Sequence, residues 1–285
     1  MAQVINTNVR SLYASQSLVV NGRGLNKTMQ QLSTGNRINS AADDAAGLSI
    51  GQIMTTQIKG LDQAVRNAND AIGFLQTAEG ALGAVSNMAQ RMRELAVQSA
   101  NDTNSADQQG YLDAEYQALA GEIDRILAGT TWNGMSVFAG DAGRDADGIF
   151  VFQVGAGSDG DVDGNDAIDI DLSAAVDLET IGGAATVDIG DAASALTEID
   201  TLDAAIDGIS ALRSTIGSTI NRLTYAADNA ANISTNTQAA RSQIMDVDYA
   251  SATTDLAKQQ IIQQAATAML AQANQLPQAV LALLK

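Results

Sequence analysis

The chain has 285 residues, a net charge of −18, no cysteine, no histidine and only 4% aromatic residues. These values exclude disulfides, thiol catalysis and cysteine-ligated metals, remove the commonest general base and zinc ligand, and disfavour nucleic acid as a partner. They also exclude a large aromatic core, and the abundance of Ala, Gln, Ile and Leu favours long helices.

The first 34 residues are predicted to form a helix. Ile5, Val9, Leu12 and Val19 follow a helical spacing, which places a narrow apolar stripe on a polar helix. Such a helix is poorly stable alone and needs a partner. The segment lacks the features of a Sec signal peptide, and no apolar run of the chain is long enough to span a membrane. A cytoplasmic protein and one exported without a cleaved signal both fit.

Residues 32–50 join this helix to a longer one. Gly35 suits the left-handed residue that ends a helix, whereas Asn39 and Ser40 are typical N-cap residues. Asp43 and Asp44 suit the positive end of the next helix, and capping explains this pair better than a catalytic dyad. The connector is therefore either a plain linker or a contact surface, and its characteristic residues are Asn36, Arg37, Asn39, Asp43 and Asp44.

Two helices with regular apolar spacing are predicted next, over about residues 45–100 and about 106–128, separated by the polar stretch 101–105. Residues 129–192 differ in character. The segments 149–154 and 168–172 are rich in β-branched and aromatic residues or alternate apolar with acidic ones, which predicts a hairpin with acidic loops.

A third long helix is predicted from Ser194, with apolar residues at intervals of three and four. Arg213 falls at one of the predicted seam positions. Its side chain either extends along the surface to reach water, or forms a pair that sets the helix register or joins two subunits. The last segment, about 250–285, resembles the first, with Ile262, Met269 and Leu276 spaced seven residues apart.

The predicted fold is mainly α: a long antiparallel helical bundle or coiled-coil rod with paired terminal helices and a small β-hairpin insert. Residues 1–44 with 245–285 are predicted to form a terminal coiled-coil domain, and residues 45–244 a bundle domain that carries the insert at about 129–192. The predicted core positions of the terminal coiled coil are Ile5, Val9, Leu12, Ile262, Met269 and Leu276.

The predicted acidic loop contains a candidate cation site. Asp159, Asp161 and Asp163, followed by Gly164, match the start of a calcium-binding loop, but position 12 is Ile170 instead of glutamate and no helices flank it. A solvated acidic turn is the better interpretation, and weak divalent-ion binding is the alternative. The chain has no phosphate-binding loop, no nucleophile elbow and no metal-ligand spacing, so an enzyme is not expected and no cofactor is predicted.

Five segments closely resemble bacterial flagellins. They are Ile5-Asn-Thr-Asn8, residues 35–50 (GNRINSAADDAAGLSI), residues 90–101 (QRMRELAVQSAN), residues 240–250 (ARSQIMDVDYA) and residues 270–285 (LAQANQLPQAVLALLK). The resemblance covers about the first 140 and the last 95 residues, and these motifs together are highly specific.

The resemblance implies a minimal two-domain flagellin, a secreted subunit of the extracellular flagellar filament used in swimming. Its terminal helices would form the coiled coil of the filament core and be disordered before assembly. The family also implies unfolded export through the flagellar type III apparatus, an export chaperone, and filament cap and junction proteins as partners. The partner expected above all is a second copy of the chain, and no membrane partner is expected.

The family resemblance also implies a receptor contact. Mammalian toll-like receptor 5 contacts flagellins through a Gln-Arg-x-x-x-Leu stretch and a glutamate on the next helix. Gln90, Arg91, Leu95 and Glu115 match those positions. They are either receptor contacts or packing residues between subunits. The alternatives for the whole chain are the hook–filament junction protein of the same superfamily and a secreted surface adhesin.

Overall fold

The computed structural model describes residues 8–138, 148–157, 166–172 and 189–283. Within these residues the chain forms five helices and four short strands. They are α1 (Val9–Thr34), α2 (Ala45–Ser99), α3 (Ala106–Gly129), β1 (Thr131–Trp132), β2 (Met135–Ser136), β3 (Ile149–Gln153), β4 (Ala167–Asp171), α4 (Ala192–Met245) and α5 (Tyr249–Leu283). The predicted mainly α fold with a β-hairpin insert is confirmed.

The chain divides into two compact units. The terminal unit contains Met1–Thr56 and Asn236–Lys285, and the central unit contains Gln57–Thr235. Helices α2 and α4 each contribute one part to each unit. The domain boundaries predicted at residues 44 and 245 stay a prediction.

The core of the central unit is built from α2, α3 and α4. Their buried residues recur at intervals of three and four, as in Leu75, Ala78 and Leu82 of α2, which is the pattern of helices packed side by side. The predicted seam of α4 was wrong at Arg213, whereas its neighbours in the seam, Ile209 and Ile216, are buried as predicted. Leu212 is buried between Ile209 and Ile216, and Arg213 is exposed with its Nη2 3.8 Å from Glu79 Oε1. Because Leu212 is buried instead of Arg213, the apolar spacing of three and four residues is kept and the Arg213 charge stays out of the core.

The predicted hairpin pairs β3 with β4 in an antiparallel register in which Phe150 lies opposite Ile170 and Phe152 opposite Ile168. A second, smaller hairpin pairs β1 with β2. Its two-residue turn is Asn133-Gly134, with φ angles of 50° and 82°, and this dipeptide is the strongest local signal for a tight hairpin turn. This hairpin was not predicted, although the sequence contains the Asn-Gly signal.

A buried polar pair joins α3 to α4. Tyr116 is fully buried and Glu198 is 3% exposed, and the Tyr116 hydroxyl donates a hydrogen bond of 2.7 Å to Glu198 Oε1. Burial, together with the bond to Glu198, raises the pKa of Tyr116 above its ordinary value. The phenol therefore stays protonated and serves as the donor that the buried carboxylate requires.

Replacing Tyr116 with phenylalanine should lower the free energy of unfolding by about 1–3 kcal/mol, because Glu198 then stays buried without this donor. Thermal unfolding followed by circular dichroism measures the loss. Tyr111→Phe is the matched control, since Tyr111 is 77% exposed, and it should leave stability unchanged. Equal effects of the two substitutions would contradict the role given to this hydrogen bond.

In the terminal unit, α1 and α5 pair in antiparallel orientation, as predicted. The Asn8 amide donates to the carbonyl of Ala273 at 2.7 Å, and the Asn21 amide donates to the carbonyl of Gln259 at 2.9 Å. Thr28 Oγ1 lies 3.4 Å from Gln259 Oε1. The Tyr249 hydroxyl donates to the carbonyl of Leu32 at 3.4 Å, so the partner on α5 changes from Ala273 near the start of α1 to Tyr249 near its end, as an antiparallel pair requires.

Candidate functional site

The terminal helix pair presents large apolar side chains to solvent. On α1, Val9 is 45% exposed, Leu12 61% and Val19 54%, and on α5 Ile262 is 42% and Met269 65% exposed. Soluble proteins seldom leave contiguous apolar surface in water unless another molecule covers it. The outer apolar face of the terminal pair is defined here as Val9, Leu12, Tyr13, Val19, Val20, Ile261, Ile262 and Met269.

These residues do not lie between α1 and α5. On α1, half-buried Leu18, Leu25 and Leu32 share the side of the helix that carries Asn21 and Thr28, the two residues that reach Gln259. The sequence contained this signal as leucines seven residues apart. Of the six predicted coiled-coil core residues, Val9, Leu12, Ile262 and Met269 are exposed in the subunit. Ile5 lies outside the described residues, and so does the side chain of Leu276.

The connector between α1 and α2 pairs with the short connector between α4 and α5. Gly35, with a φ of 74°, ends α1 in the left-handed conformation, which glycine adopts without strain. The Val247 amide donates to the Gly35 carbonyl at 2.9 Å, and the Arg37 amide donates to the Met245 carbonyl at 2.6 Å. The Arg37 guanidinium also donates to the Ile244 carbonyl at 2.7 Å. The connector is therefore fixed by backbone pairing and is more than a plain linker.

The two adjacent aspartates of the connector have different roles. Asp44 caps α2 by accepting a 2.9 Å bond from the Gly47 amide, so the N-cap is Asp44, and neither Asn39 nor Ser40 occupies that position. Asp43 Oδ2 accepts from the amides of Asn39 at 3.3 Å and Ser40 at 3.1 Å. Asn39 also donates from its side chain to the Asn36 carbonyl at 2.9 Å.

Asp43 is also tied to α1. Its Oδ1 lies 2.9 Å from Lys27 Nζ, with the Asp43 side chain 18% exposed. The ion pair with Lys27, followed by hydrogen bonds from Asn39 and Ser40, lowers the pKa of Asp43 to about 2. Asp43 therefore stays charged in neutral solution and holds the connector against the helix that precedes it.

An exposed charged cluster lies on α2 and α3 of the central unit. Arg91 Nη2 donates to Glu115 Oε1 at 2.8 Å and its Nη1 donates to Glu94 Oε2 at 3.0 Å. These bonds, first to Glu115 and then to Glu94, raise the pKa of Arg91. Arg91 and Glu115 remain about half exposed, and Gln90 beside them is exposed. These three polar residues form the Arg91 cluster.

Leu95, the fourth residue predicted for this contact, lies elsewhere. It is 1% exposed and belongs to the core with Met92, which is fully buried. Leu95 therefore supports α2 from inside and is not accessible to a partner in this conformation. The sequence motif joins surface and core residues because consecutive helical positions face different directions.

The acidic residues Asp159, Asp161 and Asp163 lie outside the described residues. In the part of the chain that the structure describes, no group of three or more acidic side chains is arranged to hold a metal ion. Over the same residues, no helix combines the length and the apolar composition that a membrane span requires.

Comparison with known families and proteins matches nearly the whole chain. Residues 5–142 match the bacterial flagellin N-terminal helical region, and residues 199–284 match the bacterial flagellin C-terminal helical region. A flagellin of Halalkalibacterium halodurans is 44% identical over 283 residues, which cover 99% of this chain and 100% of that protein.

Two further proteins also match this chain. The flagellar filament 33 kDa core protein of Treponema phagedenis is 39% identical over 287 residues, covering 99% of this chain and all of that protein. The crystal structure of Bacillus cereus flagellin matches 58% of this chain and 88% of its own chain at 35% identity, with a TM-score of 0.48.

Proposed function

Because this chain belongs to the bacterial flagellin family, in its minimal form, and is a structural subunit of the extracellular flagellar filament, we propose that it polymerises through the outer apolar face of its terminal helix pair. The observation that carries this proposal is the exposure of Leu12 and Met269, at 61% and 65%. Taking a fully exposed side chain of this kind out of water contributes about 1.5–3 kcal/mol, and most of that gain is still open to these two. In a filament, a neighbouring subunit is available to cover these side chains.

Assembly then proceeds by contacts between unlike surfaces of successive copies, which give an open helical polymer instead of a closed ring. The terminal domain, taken as residues 1–44 with 245–285, is disordered before assembly in this proposal. Two features support that view: the α1–α5 pair leaves much apolar surface in water, and few of its residues are fully buried. Burial between subunits offsets the entropy lost when the helices order.

The filament subunit is favoured over the two alternatives. The relatives that match almost the full length are named as flagellins or filament core proteins, and none of these names refers to a junction protein or an adhesin. The family is one of structural proteins, and a catalytic role is not proposed.

The remaining partners follow from the family. We propose export through the flagellar type III apparatus in an unfolded state, with the help of an export chaperone, and contacts with filament cap and junction proteins. The absence of cysteine supports a chain that is threaded unfolded, because no disulfide has to be broken.

Seeded polymerisation of the purified full chain tests the proposed function. Electron microscopy in negative stain should show long filaments that grow from added seeds. Short stubs that stop growing would favour the junction protein, and a chain that adds to no seed would contradict both assignments.

The Arg91 cluster is proposed to contact toll-like receptor 5. Its support is the exposure of Gln90, Arg91 and Glu115 and the fixed position of the Arg91 guanidinium between two carboxylates. In this proposal Leu95 does not touch the receptor but holds α2 in place from the core. A site for subunit packing in the filament is the competing role for the same surface.

Arg91→Ala should weaken activation of a receptor reporter by monomer roughly tenfold, the loss typical of a charged interface anchor. Arg125→Ala is the matched control, since Arg125 is also exposed and also paired, with Glu122 at i,i+3. A reporter response to Arg91→Ala equal to that of the wild type would contradict the receptor contact. Normal receptor response with failed filament growth would assign the cluster to subunit packing.

A further inference from the structure

Four aromatic residues of the central unit lie close together. The chain has only four phenylalanines and one tryptophan, and Phe74, Phe150, Phe152 and Trp132 line a single cleft of about 350 Å³ between α2 and the two hairpins. From the Phe74 ring centre, the ring centres of Phe150, Phe152 and Trp132 lie at 4.6, 5.9 and 6.5 Å. This site is called the aromatic cleft.

The cleft is not a closed core. Phe74 is buried, but Trp132 and Phe152 are only half-buried and Met135 at the edge is 53% exposed. Trp132 packs against the backbone of α2, because a Cβ at Gly73 would lie 3.0 Å from Trp132 Cη2. Aromatic surface therefore stays accessible, in a position set by the glycine.

The rim of the aromatic cleft is acidic. Asp70 is exposed and forms no ion pair with any described residue, and the residues lining the cleft include no lysine or arginine. Asn67 donates its amide to the Gln153 carbonyl at 3.1 Å, so this part of the rim is bonded within the subunit. An accessible carboxylate beside aromatic faces favours a cation, and a planar guanidinium can both stack on rings and pair with a carboxylate.

We infer that the aromatic cleft binds the guanidinium group of an arginine from a second copy of the chain, an inference that rests on the proposed polymerisation. Arg10, Arg23 and Arg222 are exposed and make no ion pair with a described residue, so each copy carries suitable groups. A one-residue site is weak between free molecules, but subunits held in a polymer meet at high effective concentration. Because each copy has a net charge of −18, the copies repel one another, and a contact between opposite charges offsets part of that repulsion.

Trp132 is the only tryptophan, so its fluorescence reports on this cleft alone. On seeded polymerisation of the full chain, Trp132 emission should change and its quenching by acrylamide should fall at least twofold. Filaments that form with unchanged Trp132 emission and quenching would overturn the inference while leaving the proposed function intact. If the wild-type chain fails to add to seeds, both the polymerisation proposal and this inference fail.

Two variants of equal charge separate the cleft from general electrostatics. Asp70→Asn keeps the aromatic rings and removes only the charge pair, so it should raise the critical concentration for assembly roughly threefold to fivefold. Asp169→Asn, at an exposed position of β4, should change it less than twofold. Equal shifts for the two variants, or no shift for Asp70→Asn, would overturn the inference.

A competitor identifies the chemistry of the occupant. N-acetyl-argininamide at tens of millimolar should raise the critical concentration of the wild type and leave that of Asp70→Asn unchanged. N-acetyl-citrullinamide, which has nearly the same shape without the charge, should have no effect at matched ionic strength. Equal inhibition by the two compounds would exclude a guanidinium as the group that enters the cleft.

Discussion

Leu12→Glu should abolish filament growth and leave the subunit folded. Leu12 is 61% exposed in the subunit, so a glutamate there costs the isolated chain little. In the proposed assembly contact a neighbour covers the same position, and an unpaired carboxylate would have to be buried, which costs several kcal/mol. Because the contact repeats in every subunit, we expect the critical concentration to rise more than a hundredfold, as measured by sedimentation of seeded reactions.

Two substitutions serve as controls for Leu12→Glu. Leu12→Met keeps an apolar side chain of similar volume and should assemble normally. Ser17→Glu adds the same charge at an exposed polar position of α1 and should shift assembly far less. Normal filaments from Leu12→Glu would show that the outer apolar face stays in water and would remove the main support for the proposed assembly surface.

Asp43→Lys should leave the central unit folded and block polymerisation. The substitution removes the acceptor for the Asn39 and Ser40 amides and brings a second cation towards Lys27. The connector then loses its attachment to α1, and the terminal helices no longer start from a fixed position. Circular dichroism should show nearly unchanged helix content, while electron microscopy shows no filaments.

Asp44→Asn is the control for the connector, because asparagine caps a helix as well as aspartate does, and its filaments should be normal.

Acid should reproduce the effect of Asp43→Lys in the wild type. The pKa of Asp43 is lowered from 3.8 to about 2, so its contribution is complete above its unfolded pKa and is lost as the pH falls through about 2. Filaments that grow normally from Asp43→Lys would return this segment to the role of a plain linker.

The long helices and the hairpin could be predicted because their patterns are strong. Apolar residues at intervals of three and four specify which side of α2 is buried, as Leu75, Ala78 and Leu82 show. The alternation of apolar and acidic residues in β4 specifies which side chains pack inward, and Ile168 and Ile170 are buried as that pattern requires. These signals are local, so one sequence contains them completely.

Other features depend on contacts between distant segments. Nothing near Glu198 indicates that its partner is Tyr116 on another helix, and an isolated glutamate in a helix normally faces solvent. The assignment of Arg213 to the seam of α4 failed because Leu212 satisfies the same spacing within one residue. On α1 two apolar stripes compete, and only the position of α5 decides that Leu18 and Leu25 face it while Val9 and Leu12 face outward.

The pairing of α1 with α5 also sets the order of events when the chain folds. Asn8 meets Ala273 across 265 residues of sequence, and Asn21 meets Gln259 across 238, which are among the most distant contacts that a chain of 285 residues can make. Contacts of such high sequence separation form late, because the ends must find each other first. A chain delivered from one end cannot complete this pair until its last helix has emerged. If export proceeds as proposed above, a truncated subunit would lack α5 and with it the part of the proposed assembly surface that α5 carries.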